Sequence, residues 1–343
     1  SATWSLDENW MLSNFSISLE SFSADWIVYR NFCILSTILA NDGISISGIE
    51  KLESNGFKVL TKSIAQDDLI SYINNSKIDI LLVRSTTKVK KNLIDKCPSI
   101  KLIGRGGVGM DNIDVEYAVN KGINVINTPA ASSKSVAELV FAHLFGCVRH
   151  LHSSNRSMPL EGDTKFKELK KSCSKGAELR GKTLGIVGFG RIGQEVAKIA
   201  IGIGMNISVY DLNLNEALLE LSFFDESTKS FQIKMDDFKN LLAQSDFITF
   251  HVPAQKKYLI SEDEFKIMKQ GVGIINAARG GVIDEGALQK YLNTGKVSFA
   301  ALDTFENEPN PDIKILMNAR ISLTPHIGAA TTEAQDRIGL ELA

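Results

Sequence analysis

The sequence predicts an α/β protein made of two parallel-sheet domains, the second inserted into the first. Three observations carry this. The chain has 343 residues, more than one average domain. Short apolar runs alternate with helical patterns along most of it, as in βαβ units. The alternation is punctuated at Asn127-Thr128-Pro129, and a second series closes near Arg320.

In order, Phe32 to Leu39 reads as a strand and Gly48 to Asn55 as a short helix closed by Gly56. Phe57 to Leu60 is a strand and Asp67 to Asn74 a helix. Ile78 to Val83 is apolar but for Asp79, the mark of a parallel strand buried on both faces. The pattern recurs at Leu102-Ile103 and Val125-Ile126. A long helix is expected from about Ser135 to His152, and a lysine-rich stretch from Asp163 to Lys175 reads as a solvated loop. Ile321 to Leu323 and a final helix from Thr331 are expected to return to the first domain. This assigns 31–129 and 321–343 to one domain and 130–320 to the other, both Rossmann-like or flavodoxin-like. Residues 1–30 hold all three tryptophans (Trp4, Trp10, Trp26) and show no sustained period. Two readings stay open for them: a leader foreign to the fold, or an arm packing on a neighbouring subunit.

Composition excludes several classes. The chain is 44% hydrophobic and 23% charged with a net charge of −2, which gives no reason to expect nucleic acid or an anionic membrane as partner. No apolar run approaches the roughly 18 residues that span a bilayer. The four cysteines (Cys33, Cys97, Cys147, Cys173) form no CxxC pair and no zinc spacing, so no metal is expected. Scattered thiols and the absence of a secretory leader pattern point to the cytoplasm.

Lys182 to Val187 reads as a buried strand, followed at once by Gly188-Phe189-Gly190-Arg191-Ile192-Gly193 and then an amphipathic helix. Each glycine has a physical task. Gly188 permits the tight turn, Gly190 lets backbone approach a pyrophosphate, and Gly193 lets helix and strand pack closely. The amides of Arg191 and Ile192 open the helix, where unmet donors favour an anion. Asp211 ends the next strand, 23 residues past Gly188, placed to accept from ribose hydroxyls and to repel a 2′-phosphate. The expected cofactor is NAD.

Later strands end at further polar residues: Arg279 in Ile274-Ile275-Asn276-Ala277-Ala278-Arg279-Gly280-Gly281, Glu308 before Pro309, and His326 after Thr324-Pro325. Ligands in open α/β sheets bind beyond such strand ends. The stretches LGIVGFGRIG, INAARGGVIDE, ALDTFENEP and TPHIGAAT, in that order, resemble the D-isomer-specific 2-hydroxyacid dehydrogenase family from about Phe32 onward. Within it they are most similar to the branch acting on D-3-phosphoglycerate. The resemblance implies that His326 is the general acid/base, that Glu308 orients its imidazole, and that Arg279 holds the substrate carboxylate. It also implies that Asp303 receives the nicotinamide amide, that Val252, Pro253, Ala277 and Gly328 lie beside the cofactor, and that Val108 contacts cofactor or substrate.

The same resemblance places Arg84, Ser85, Arg105, Gly106, Gly107 and Arg149 in the substrate pocket. Convergent guanidinium groups there suit a phosphorylated 2-hydroxy acid. It further implies serine biosynthesis and a homodimer formed through the nucleotide-binding domain. Alternatives stay open: a glyoxylate/hydroxypyruvate reductase or other D-2-hydroxyacid dehydrogenase, or an NAD-sensing module like the corepressors related to the family. The joint presence of Arg279, Glu308 and His326 argues against the last. His143, His150 and His152 read as surface or packing residues, and Glu306 as a decoy beside Glu308. Two departures from relatives stand out: no tryptophan in 163–175, and no room after Ala343 for a regulatory domain.

Overall fold

The computed structural model describes residues 36–254 and 256–343. The 1–30 segment and the first residues of the strand expected from Phe32 lie outside the described residues. Of those described, 36–106, 110–127 and 338–343 form a smaller unit, and 107–109 with 128–337 a larger one.

The smaller unit runs β1 (Thr37–Ala40), α1 (Ile46–Ser54), β2 (Lys58–Leu60), α2 (Gln66–Ser76), β3 (Ile80–Val83), α3 (Lys91–Lys96), β4 (Leu102–Arg105), α4 (Val115–Asn120) and β5 (Asn124–Asn127). Its five strands are parallel, in the order β2-β1-β3-β4-β5. This is the flavodoxin-like order. All four residues of β3 are buried, because helices cover both faces of the sheet. One face packs Leu39, Leu81, Val83 and Ile103 against Leu69, Ile73 and Leu93, and the other packs Ile38, Ala40 and Leu82 against Leu52 and Leu342.

The larger unit begins with α5 (Ser133–Val148), α6 (Leu151–Glu161) and α7 (Phe166–Ser172). Then come β6 (Thr183–Val187), α8 (Arg191–Gly202), β7 (Asn206–Tyr210) and a hairpin of β8 (Glu216–Ser222) with β9 (Thr228–Lys234). It continues with α9 (Phe238–Gln244), β10 (Phe247–Phe250), α10 (Glu262–Ile267), β11 (Val272–Asn276), α11 (Glu285–Asn293), β12 (Val297–Leu302), α12 (Ile313–Leu316) and β13 (Ile321–Leu323). The last helix, α13 (Thr332–Leu342), starts in this unit and ends in the smaller one. Six parallel strands are ordered β13-β12-β11-β10-β6-β7. The order reverses between β6 and β10, which makes the crevice beyond their carboxyl ends the switch point. On one face Val136, Val140, Phe141 and Leu144 of α5 pack with Val196, Ala197 and Ala200 of α8.

Four elements differ from expectation. The long helix ends at Val148, because His150 takes a left-handed φ of 54°, and the chain restarts as α6 at Leu151. The lysine-rich stretch forms α7 over Phe166–Ser172, with Lys170 and Lys171 in its last turn, where cations suit the helix dipole. Ile321–Leu323 pairs with β12 in the larger sheet, so the boundary expected at 320 moves to 337. The β8–β9 hairpin had no counterpart in the sequence reading. Its inward residues Leu219 and Leu221 are buried against the α8 side of the core.

Candidate active site

At the switch point of the larger unit, Gly188 has φ 94° and sits so close to the His251 carbonyl that a Cβ would overlap it. Gly193 in the first turn of α8 touches the Gly188 carbonyl in the same way. Only glycine fits either place. Gly190 is the N-cap of α8 and brings no side-chain acceptor to the first-turn amides of Arg191 and Ile192. A Cβ at Gly190 would meet nothing within 4 Å. Unmet donors, an open cradle and the positive end of a 12-residue helix fit a dinucleotide pyrophosphate.

Asp211 follows β7. Its Oδ2 accepts the Phe189 amide at 2.7 Å and its Oδ1 the Asn213 amide at 2.9 Å. The carboxylate is therefore tied to the glycine loop while keeping acceptor capacity for a hydroxyl. Val252 and exposed Pro253 follow β10, and buried Ala277 follows β11.

His326 lies beyond β13 in a left-handed conformation, φ 55°. For a residue with a Cβ this geometry is costly, and it persists only where surroundings enforce it. Its Nδ1 meets Glu308 Oε2 at 2.8 Å, both side chains partly exposed. Glu308 is itself fixed, because its Oε1 accepts the Phe305 amide at 2.9 Å. The pairing leaves Nε2 as the ring nitrogen directed away from the carboxylate, as acid/base work requires. Buried Asp303, after β12, holds the histidine loop: Oδ1 accepts from Thr324 Oγ1 (2.6 Å) and the Ile327 amide (2.8 Å), and Oδ2 from the Gly328 amide (2.9 Å). A carboxylate offers about four acceptor sites, so one remains on Oδ2. The turn bearing Arg279 is braced by Asn276, whose side chain donates to the Arg279 carbonyl (2.9 Å) and accepts the Ala278 amide (3.1 Å).

The smaller unit places Arg84 and Ser85 just past β3, and Arg105 and Gly106 at the end of β4. Gly106 donates its amide to Val83 at 2.8 Å, locking the two strand ends together. Gly107 and exposed Val108 belong to the larger unit, where the Gly107 carbonyl accepts the Thr128 amide at 3.3 Å. Arg149 is not gathered with the other pocket residues of that unit. Ser135, near the start of α5, meets Thr331 beyond β13 at 2.8 Å, whereas Gly146 to Val148 share a cavity with the strand starts Phe247, Val272 and Ile321. Exposed Arg149 therefore stands at the opposite sheet edge from Arg279 and His326.

Sequence reasoning missed several supports. Glu306 clamps the loop before Glu308: its Oε1 accepts the Glu285 amide at 3.0 Å, while Glu285 Oε1 accepts the Glu306 amide at 2.9 Å. Burial, foremost, pushes the Glu285 carboxyl up. Thr324 carries no role in the sequence reading, and His143, read there as a surface or packing residue, is buried with both ring nitrogens bonded. Thr324 lies inside a quoted motif, and its place before the proline was the available signal. His143 had none, because its partners are about 180 residues away. Among the described residues no group of acidic, histidine or cysteine side chains has metal-binding geometry.

Residues 141–328 match the model of the D-isomer-specific 2-hydroxyacid dehydrogenase, NAD-binding domain. Hydroxypyruvate reductase of Thermotoga maritima is 43% identical over 83% of this chain and 88% of that protein. D-3-phosphoglycerate dehydrogenase of Methanocaldococcus jannaschii is 41% identical over 89% of this chain, which spans only 56% of that protein's length. The crystal structure of a glyoxylate reductase from Paecilomyes thermophila superimposes with a TM-score of 0.73 at 31% identity, over 90% of this chain and 93% of that one. The glycine loop on an uncapped helix, the acidic strand end and the His–Glu pair agree with these similarities, and the chain belongs to the D-isomer-specific 2-hydroxyacid dehydrogenases, a family of NAD-dependent enzymes.

Proposed function

We propose that the chain oxidises D-3-phosphoglycerate to 3-phosphohydroxypyruvate with NAD, the first step of serine biosynthesis. The observation that carries the chemistry is the 2.8 Å contact between His326 Nδ1 and Glu308 Oε2 at the carboxyl edge of the larger sheet. With Nδ1–H donated to the carboxylate, Nε2 is a free base for the C2 hydroxyl proton. NAD supplies the hydride acceptor. As His326 takes the proton, Glu308 stabilises the imidazolium that forms. Arg279 pairs with the substrate carboxylate, a planar two-point contact that orients C2. Asp211 reads the ribose, and the α8 amides hold the pyrophosphate.

Arg84 and Arg105, at adjoining strand ends of the smaller unit, support the phosphorylated substrate. Arg149, at the far sheet edge of its unit, has no part in this pocket. The smaller unit is thus the substrate-binding domain, and the enzyme acts in the cytoplasm as a homodimer through the NAD-binding domain. A second reading, reduction of hydroxypyruvate or glyoxylate, draws on the 43% identity to a hydroxypyruvate reductase. A substrate panel followed by NADH absorbance separates them. Turnover of 3-phosphoglycerate well above D-glycerate and D-lactate supports the proposal, and preference for unphosphorylated acids selects the second reading.

A further inference from the structure

Helix α5 touches the His326 loop at two places. Near its start, Ser135 Oγ meets Thr331 Oγ1 at 2.8 Å. Two turns further, His143 is buried, at 6% exposure, with both ring nitrogens engaged: Nδ1 with Ser322 Oγ at 2.9 Å and Nε2 with Thr324 Oγ1 at 3.0 Å. Thr324 then meets Asp303 Oδ1 at 2.6 Å, and Asp303 holds the amides of Ile327 and Gly328, the two residues directly after His326.

The direction of these bonds follows from donor and acceptor counting. An ionised carboxylate only accepts, so Thr324 must donate its hydroxyl proton to Asp303. Thr324 Oγ1 is then left to accept, and His143 Nε2 must be the donor. Nδ1 of the neutral ring is consequently the acceptor, and Ser322 donates to it. Burial, the largest influence, pushes the His143 imidazole below its ordinary range, opposed by the nearby Asp303 charge. The ring is neutral at physiological pH and has one tautomer available.

We propose that His143 is a positioning residue: as the Nε2–H tautomer it fixes Thr324, and through it the Asp303 carboxylate that keeps His326 in its left-handed conformation. The strain at His326 needs such an external restraint, since a histidine released from it relaxes toward ordinary backbone angles. His143 touches neither substrate nor cofactor in this scheme. Its effect falls on the fraction of enzyme whose acid/base stands ready, which enters kcat and leaves binding largely alone.

The inference rests on the reading of His326 as the acid/base, and the experiment keeps the two apart. His143→Leu is expected to lower kcat by about fivefold, the scale of one net hydrogen bond, with KM for NAD and for the acid within about twofold. His143→Gln, which retains a donor toward Thr324 and an acceptor toward Ser322, is expected to recover most of that loss. Thr324→Val should match His143→Leu, and the double variant should be no slower than either single one, because both cut the same chain of bonds. Nitrogen-15 NMR, with the His143 signals assigned by their loss in His143→Gln, should show that ring neutral and protonated at Nε2 at physiological pH; His251, whose burial pushes its imidazole down to about 3, is a second ring expected to stay neutral. Leu and Gln variants that are equally slow would reduce His143 to packing and overturn the proposal, as would wild-type kcat in both or multiplicative losses in the double variant. If His143→Leu does not fold, Thr324→Val and the His143 tautomer decide, and a His143 ring protonated at Nδ1 overturns it. A His326→Ala variant of undiminished kcat would instead sink the underlying reading.

Discussion

The two units share a doubly wound topology and treat the same place in it differently. In the smaller unit the strand order reverses between β1 and β3, and in the larger between β6 and β10. Each crevice lies beside the first turn from strand into helix. In the smaller unit that turn fills its own crevice. Asp42 accepts the Arg84 amide at 2.7 Å, the Thr87 amide at 3.0 Å and the Thr87 hydroxyl at 2.7 Å, and Ser45 caps α1 by accepting the Gly48 amide at 3.2 Å. In the larger unit the N-cap is Gly190, and no side chain meets the first-turn amides of α8. Topology makes a crevice in both, but the smaller unit caps its helix start with a side chain and the larger does not. An anion site is therefore a property of what the chain withholds as much as of the fold.

The largest effect expected belongs to the chemistry of the larger unit. His326→Ala should lower kcat by about 10² or more, the usual scale for a general acid/base, while NADH binding measured by fluorescence stays near wild type. A loss of NADH binding of similar size would mean that the loop serves the cofactor crevice instead. Next comes the contribution of the smaller unit. A charge-assisted hydrogen bond contributes about 1.5–3 kcal/mol, so Arg84→Ala should raise KM for 3-phosphoglycerate about tenfold or more. Plain hydroxy acids should be little affected. Equal damage to both classes of substrate would remove the phosphate from the assignment and leave the two crevices closer in role than argued.

How much of this was legible in the sequence follows the same division. The glycine loop and Asp211 were readable because close approach, tight turn and helix start demand particular residues at fixed spacing. The strands around them were readable as apolar runs, such as Lys182 to Val187, whose last four residues are buried. Local signals stopped at places settled by tertiary contact. The break at His150 depends on a single left-handed residue without glycine, and α7 forms where a run of lysines reads equally well as loop. Ile321–Leu323 is too short to announce which sheet it joins, since only pairing with β12 decides that. The supports of the site were harder still. Asp303, Thr324 and His143 are brought together from separate stretches of chain, and no spacing rule covers such a meeting.

A third expectation turns the comparison into a single substitution. Gly190 has φ −70° and open space where a Cβ would stand, so serine fits there without strain. Gly190→Ser gives α8 the kind of cap that α1 already has. The hydroxyl then competes with the pyrophosphate for the same amides. KM for NAD should rise about tenfold, a loss near 1.4 kcal/mol, while thermal stability of the apoenzyme stays level or improves. An unchanged KM would show that the uncapped amides do not hold the cofactor.

The smallest effect is the converse change in the smaller unit. Ser45 Oγ accepts from Gly48 and lies 2.9 Å from Ser47 Oγ, so Ser45→Ala removes the acceptor that satisfies the start of α1. N-cap losses of this kind cost about 1 kcal/mol. In a chain of this size that lowers Tm by roughly 2–4 °C, readable by calorimetry or by circular dichroism. KM for NAD and kcat should not move, because the α1 amides serve the fold and have no ligand. Restoring the acceptor with Ser45→Asp should recover the stability, helped by a negative charge at the helix start. The two helix starts predict opposite signs: adding a cap at Gly190 trades cofactor for stability, and removing one at Ser45 loses stability with no kinetic consequence. A change in KM for NAD on Ser45→Ala would break the comparison, since the start of α1 would then take part in holding the cofactor.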